Sequence, residues 1–268
     1  FATSGMASDA SGTVLTIDST AYTYTQLQTL SFTSWAASST HTITATNPVG
    51  VSGGTKQYVF VSWTNGNGLT TASGTFTTPS SATTVTVTYK TQYYLTVADG
   101  GHGTAGGAGW YDSGASAQAT MTPLTVTSGT TRYVFDGWTG DASGSGSPSN
   151  SITMNGPKTA TATWDTQYQV TFTQSGILAT AGTNTVLTVG STTYDYTHLP
   201  TNTWIDAGTT FTWATVAGDT YERFATSATG GTITGTSYSA TYYHQWYLTV
   251  NGGHSVTFGT ASRFGDQW

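Results

Sequence analysis

A block of sixteen residues occurs three times in this chain and dictates most of what it can fold into. Residues 82–97 read ATTVTVTYKTQYYLTV, 157–172 read PKTATATWDTQYQVTF and 235–250 read GTSYSATYYHQWYLTV, aligned without gaps at spacings of 75 and 78 residues. Threonine alternates with Val, Ala, Tyr or Trp in each block, the period of two that a half-buried strand needs. The middle of the block, Thr91-Gln92-Tyr93 or its equivalent, is expected to join the last strand of one module to the first strand of the next.

Other segments repeat on the same period. Residues 11–27 (SGTVLTIDSTAYTYTQL) share ten of seventeen positions with 183–199 (TNTVLTVGSTTYDYTHL). Phe1 to Gly5 matches Phe172 to Gly176, Trp110 to Gly114 matches Trp204 to Gly208, QYVFVSW at 57–63 matches RYVFDGW at 132–138, and Gly100-Gly101-His102 matches Gly252-Gly253-His254. These matches divide the chain into modules at 1–90, 91–165 and 166–243, with 244–268 opening a fourth. The expected fold is all-β: tandem small β-sandwich or β-grasp-like modules in an elongated array. Modules of this size sit near the lower limit for a self-sufficient core, so they should lean on their neighbours.

Composition agrees with strands and removes several classes of function. The 268 residues include 63 Thr and 33 Gly but one Glu and three Lys, so helix formers are scarce and β-branched residues abundant. Residues 21–30 (AYTYTQLQTL) have room for one helical turn at most. With 36% apolar and 13% aromatic residues the chain is not a disordered one. The absence of cysteine removes disulfides and thiolate metal sites. Six Lys and Arg against twelve Asp and Glu give a net charge of −6, which repels phosphates, so no nucleic-acid partner is expected. No apolar run reaches the roughly 18–20 residues of a membrane helix. Without a signal-peptide pattern or an initial Met, the chain reads as a mature or excised segment.

Catalytic signatures are weak. Asp112-Ser113-Gly114 has the form of an aspartic-protease motif, but its partner in register is Asp206-Ala207-Gly208, where Ala lacks the hydroxyl, so a turn is expected instead. Glu222 stands beside Arg223 and reads as a surface pair. Asp136 and Asp141 flank a loop, with fewer carboxylates than a calcium site uses. His41, His102, His198, His244 and His254 show no paired metal spacing, and Gly100 to Gly109 opens no helix. No catalytic residue, metal or cofactor is expected. Most tryptophans read as module cores; Trp63 and Trp138 are the candidates for stacking on sugars, which makes surface glycans a second class of partner. No Asn-x-Ser/Thr sequon occurs.

The second module carries a further pattern. Tyr133-Val134-Phe135-Asp136-Gly137-Trp138-Thr139-Gly140 precedes Ile152-Thr153-Met154-Asn155-Gly156-Pro157-Lys158 and then Thr159 to Trp164. This resembles the divergent internalin B-repeat family of bacterial and archaeal surface proteins. The resemblance is partial in module one, where Ser62 replaces the Gly before Trp63, and in module three only Arg223-Phe224 persists. It implies β-rich modules of a secreted, non-catalytic surface protein acting as stalk, spacer or adhesive element.

The two ends complement each other. Phe1 aligns with Val97 and Phe172, so module one starts after the counterpart of Tyr93–Thr96, and residues 246–250 (WYLTV) are that same strand without the rest of a module. Either the chain is an excerpt of a longer tandem array, or copies of it join head to tail by strand complementation. In the second case Trp246, Tyr247, Leu248, Thr249 and Val250 form the donor strand, and Phe1, Val14, Leu15, Ile17, Tyr58 and Phe60 surround the acceptor groove. A carbohydrate-binding adhesin, or a non-catalytic region of a larger secreted enzyme, are the alternatives.

Overall fold

The computed structural model describes residues 1–218 and 221–246. They are nearly all β, as the alternation requires. The helical exceptions are a single turn at Tyr24–Leu27, closed by a Thr23–Gln26 capping box, and a 3-10 turn at Ala179–Ala181. The chain divides into two compact units: Phe1–Pro123 with Asp136–Thr163, and Leu124–Phe135 with the residues from Trp164 onward.

In the first unit, β1 (Ala2–Ser4), β2 (Thr13–Ile17), β3 (Thr20–Thr23), β4 (Thr40–Ala45), β5 (Val49–Gly50), β6 (Lys56–Thr64), β7 (Ser73–Thr77) and β8 (Thr86–Ala98) form two ladders. One runs β3-β2-β4-β7, antiparallel throughout; the other runs β5-β6-β8, with β1 parallel to the start of β8. Asp18 and Ser19 both take positive φ, which gives the β2–β3 hairpin the two-residue turn whose twist suits its strands. In β8 the period of two is visible in burial: Val87 and Tyr89 are buried, Thr86 and Thr88 half-buried. They pack with Val14, Leu15, Ile17, Ile43, Tyr58 and Phe76 into one core.

The chain continues through β9 (Thr104–Gly106), β10 (Gly109–Asp112), β11 (Ser116–Ala117) and β12 (Thr120–Thr122), then β13 (Thr125–Ser128), β14 (Thr131–Gly140), β15 (Ile152–Thr153) and β16 (Lys158–Ser175). Within the first unit, β10 runs antiparallel to β8, and residues 158–161 of β16 run parallel to residues 95–98 of β8.

In the second unit, β13 and the start of β14 make a hairpin. The remaining strands are β17 (Leu187–Val189), β18 (Thr192–Tyr194), β19 (Thr203–Asp206), β20 (Thr210–Trp213), β21 (Val216–Ala217), β22 (Glu222–Thr226), β23 (Gly231–Thr232) and β24 (Ser237–Trp246). A β18-β17-β20-β23 ladder repeats the arrangement of β3-β2-β4-β7. The second part of β16 pairs antiparallel with β19 and parallel with β24. Val170, Phe172, Leu187, Phe211, Trp213, Phe224 and Tyr242 fill its core.

One closure recurs at equivalent repeat positions. Three equivalent strand segments each run parallel to an equivalent later segment of the repeated block, with Ala2 opposite Thr86, Ala98 opposite Thr161 and Thr173 opposite Ser239. Two further details recur in the first and third modules. The Tyr89 hydroxyl donates to the carbonyls of Val14 and Thr46 at 3.2 and 3.1 Å, and the Tyr242 hydroxyl donates to those of Val186 and Ala214 at 3.2 and 2.9 Å. Gly5 and Gly176 cross the same strand so closely that a Cβ would lie 1.9 Å from the Tyr89 carbonyl oxygen and 2.1 Å from that of Tyr242. Only glycine fits there, which explains why the Phe-x-x-Ser-Gly segment repeats.

Candidate functional site

The repeats differ in what flanks their first strands. In module two, Leu95 sits between two partners, Lys158 on the parallel side and Gly109 on the antiparallel side. In module three, Val170 lies opposite Thr203, and the parallel ladder to β24 begins at Thr171. Leu95 and Val170 are both 0% exposed. In module one the equivalent flanking stretches are 82–85 and 31–37, and neither belongs to a strand. Between them lies a cavity of about 640 Å³ lined by Phe1, Leu30, Phe32, Trp35, Phe76 and Val85, with Thr and Ser at its rim and no acidic or basic side chain.

The antiparallel flank can be traced by its turn. Gly114 and Gly208 take positive φ and donate their N–H to the carbonyls of Met154 and Ile233. Ser38 takes the same place in module one, at φ 65°, donating to Thr78. Trp110 and Trp204 lie four residues before their glycines; Trp35 lies three before Ser38. Phe1 meets Phe32, Trp35 and Phe76 edge-on at 5.9–6.2 Å, while its amine donates to the Leu30 carbonyl.

A polar cluster fixes Trp35. His41 Nδ1 lies 2.6 Å from Asp18 Oδ2, and His41 Nε2 lies 2.9 Å from Ser39 Oγ. The Thr42 N–H donates to the other Asp18 oxygen, and these two bonds, His41 first, hold the Asp18 carboxyl below the usual carboxylate range. The residue types are those of an acyl-transfer triad. The Ser39 hydroxyl, however, has a closer acceptor in the Ala36 carbonyl at 2.7 Å, and Trp35 stacks on the imidazole at 3.5 Å with Phe32 stacked behind it. The arrangement works as a clip, tying the β2–β3 turn to β4 and holding the indole at the cavity wall. Asp18 and His41 are 23 residues apart and match no motif; the one sequence signal was a His in an alternating strand.

Of the expected acceptor residues, only Phe1 lines the cavity. Val14, Leu15, Ile17 and Tyr58 are buried in the first core, and Phe60 packs edge-on against Tyr89. The alternation places them on the inner face of strands that already have partners. Trp246 is the last described residue of β24, 59% exposed and paired with Glu222; Tyr247, Leu248, Thr249 and Val250 lie outside the described residues. The Trp138 ring is buried with its N–H on the Gly146 carbonyl, which leaves no open face for a sugar, and half-buried Trp63 spends its N–H on Thr71.

Glu222 is not a surface partner of Arg223. It is 3% exposed and pairs with His244, while Arg223 donates to Gln245. Neighbouring residues of β22 face opposite sides, so Glu222 shares the inner side with Phe224. Asp112 accepts from Lys90 and Gln92, and its repeat equivalent Asp206 accepts from Gln167. Asp141 takes Lys158 and the Thr159 N–H, and Asp136 takes the Thr163 hydroxyl. Among the described residues no three His, Cys, Asp or Glu side chains gather as a metal site. No described helix is long and apolar enough to cross a membrane.

Residues 93–168 match the divergent InlB B-repeat domain family. The matched B-repeat runs from Tyr93 to Tyr168, repeat-equivalent residues, so it spans one full period and includes its own first strand. B-repeat domains occur in surface-associated proteins. No curated protein and no solved structure matches the chain.

Proposed function

We propose that this chain is a structural segment of an extracellular surface stalk or filament, in which copies join head to tail by β-strand complementation. The modules 1–90, 91–165 and 166–243 are its building units, and residues 246–250 are the donor strand. The observation that carries this reading is the repeated closure, in which equivalent residues Ala2, Ala98 and Thr173 each pair in parallel with an equivalent later strand, so that the ends of such an array are where a further strand would pair. A strand added there gains main-chain hydrogen bonds on its flanks and buries alternate side chains. Burying one Leu fully is worth about 1.5–3 kcal/mol. The B-repeat match to surface proteins supports the same reading.

Electron microscopy of the purified chain, beside a variant lacking residues 244–268, tests this. Filaments are expected from the full chain and none from the truncation. Filaments of normal length from the truncated chain would refute it.

A further inference from the structure

We propose that the face of β8 and β10 around Trp110 binds a neutral glycan, a chain of pyranose rings with equatorial hydroxyls, one of which stacks on the indole. The register of three strands builds this face. Trp110 of β10 lies opposite Tyr94 of β8, Asp112 lies opposite Gln92, and Gln57 of β6 flanks Gln92 on the other side. Residues two apart on one strand, and residues directly opposite across strands, share a face. The two rings meet edge-on, 5.2 Å between centroids at 74°, and Trp110 is 36% exposed. Among the described residues no other ring lies against Trp110, and neither its N–H nor the Tyr94 hydroxyl has a hydrogen-bond partner.

The repeat supplies the contrast that singles out Trp110. Gln57 donates to Gln92 and Gln92 to Asp112, both at 2.8 Å; in the third module Arg132, Gln167 and Asp206 make the same row. There the Arg132 guanidinium lies over the Trp204 ring, 4.7 Å from its centroid, and closes it. Trp35, near the corresponding place in module one, is stacked between Phe32 and His41. Trp110 has Gln57 in place of the arginine, and its ring stays open. An indole face takes the C–H face of a pyranose, which equatorial hydroxyls leave uncovered. Beside the ring, Gln57 keeps its carbonyl oxygen, Gln92 its second amide hydrogen and Asp112 further lone pairs, a row of donors and acceptors that sugar hydroxyls can bridge. Lys90 on this face is neutralised by Asp112 at 2.8 Å, and the chain carries a net charge of −6, so an acidic glycan finds no free cation here.

Isothermal titration calorimetry of the full chain with cellohexaose, chitohexaose and a heparin hexasaccharide tests the site, which stands or falls separately from head-to-tail assembly. Saturable binding of a neutral hexasaccharide is expected, and none of heparin. Trp110→Ala should weaken the neutral binding at least about tenfold. Gln57→Arg imports the cap of the third module while keeping Trp110, and should weaken it by a similar factor. Trp204→Ala should leave it unchanged, because that ring is already covered. Circular dichroism of each variant should match that of the parent; should Trp110→Ala not fold, Gln57→Arg carries the test. No binding of either neutral chain, binding of heparin alone, or neutral binding that survives both substitutions would overturn the site. Loss in Trp110→Ala without loss in Gln57→Arg would overturn the cap as what separates the two modules.

Discussion

Tyr89→Phe and Tyr242→Phe should cost the same amount, each in its own unit. Each hydroxyl reaches two carbonyls, and burial pushes both phenols up, that of Tyr242 to about 12. Removing the hydroxyl does not orphan all its acceptors. The Val14 carbonyl keeps the Thr46 N–H, and the Val186 carbonyl keeps the Ala214 N–H, both at 2.9 Å. What is lost is about one net hydrogen bond, near 1 kcal/mol, plus part of the desolvation of the Thr46 or Ala214 carbonyl, both on half-buried residues open to some water. The sum is about 1–2 kcal/mol, or roughly 5- to 30-fold in the opening equilibrium. Native-state hydrogen exchange reads this locally. Amides of β2 and β4 should exchange faster in Tyr89→Phe, and those of β17 and β20 in Tyr242→Phe. A change below about twofold, or acceleration of only one tyrosine's ladder, would refute the tether as a shared energetic element.

Gly176→Ala should lower the thermal midpoint well beyond Gly208→Ala. Both glycines have positive φ, but a Cβ at 176 would lie 2.1 Å from the Tyr242 carbonyl oxygen, whereas 208 faces open space and carries only the backbone penalty of about 1 kcal/mol. Acid should release the segment around Asp9. Its carboxyl is held below the usual range by hydrogen bonds from Lys56 and then Tyr58, so the stabilisation is complete above about pH 4 and is lost as pH falls through the lowered folded value. Exchange at Ser11 and Val51, whose N–H groups bond Gly50 and Lys56, should accelerate only in that window, and Asp9→Asn should flatten the dependence. Asp18→Asn should loosen the His41 clip and shift Trp35 fluorescence; the chain has nine tryptophans, so the shift is read as a difference that disappears when Asp18→Asn is made on a Trp35→Phe background.

The sequence was most legible where a repeat has a mechanical cause. Tyr89 and Tyr242 fall at one position of the recurring block because both anchor the same pair of carbonyls, and Gly5 and Gly176 recur because each passes against the backbone of that strand. Alternation in β8 and β24 announced strands, and it also holds the reason Glu222 was misjudged. Charge suggested the surface, but parity with Phe224 sends the carboxylate inward to His244. The Asp18–His41–Ser39 clip was invisible because its members meet only after β2 and β4 have paired.

The start of β8 illustrates a limit of a different kind. Alignment sets residues 82–85 beside two strand starts, and the apolar residues expected around a docked strand include Val14, Leu15 and Ile17. Those residues are apolar because they already serve a closed core. Residues 82–85 align with 157–160 and 235–238, where β16 begins at Lys158 and β24 at Ser237, but β8 begins only at Thr86. A strand forms where a neighbour satisfies its N–H and C=O groups, and alternation alone does not supply that neighbour. Supplying it should therefore extend β8 toward Thr83. Slowed exchange at the amides of Thr83 and Thr84 on adding a peptide of sequence HQWYLTVNG, residues 244–252, to the full chain is the expected result. Unchanged exchange at saturating peptide would mean that the coil at 82–85 has a local cause, and the missing neighbour would no longer explain it.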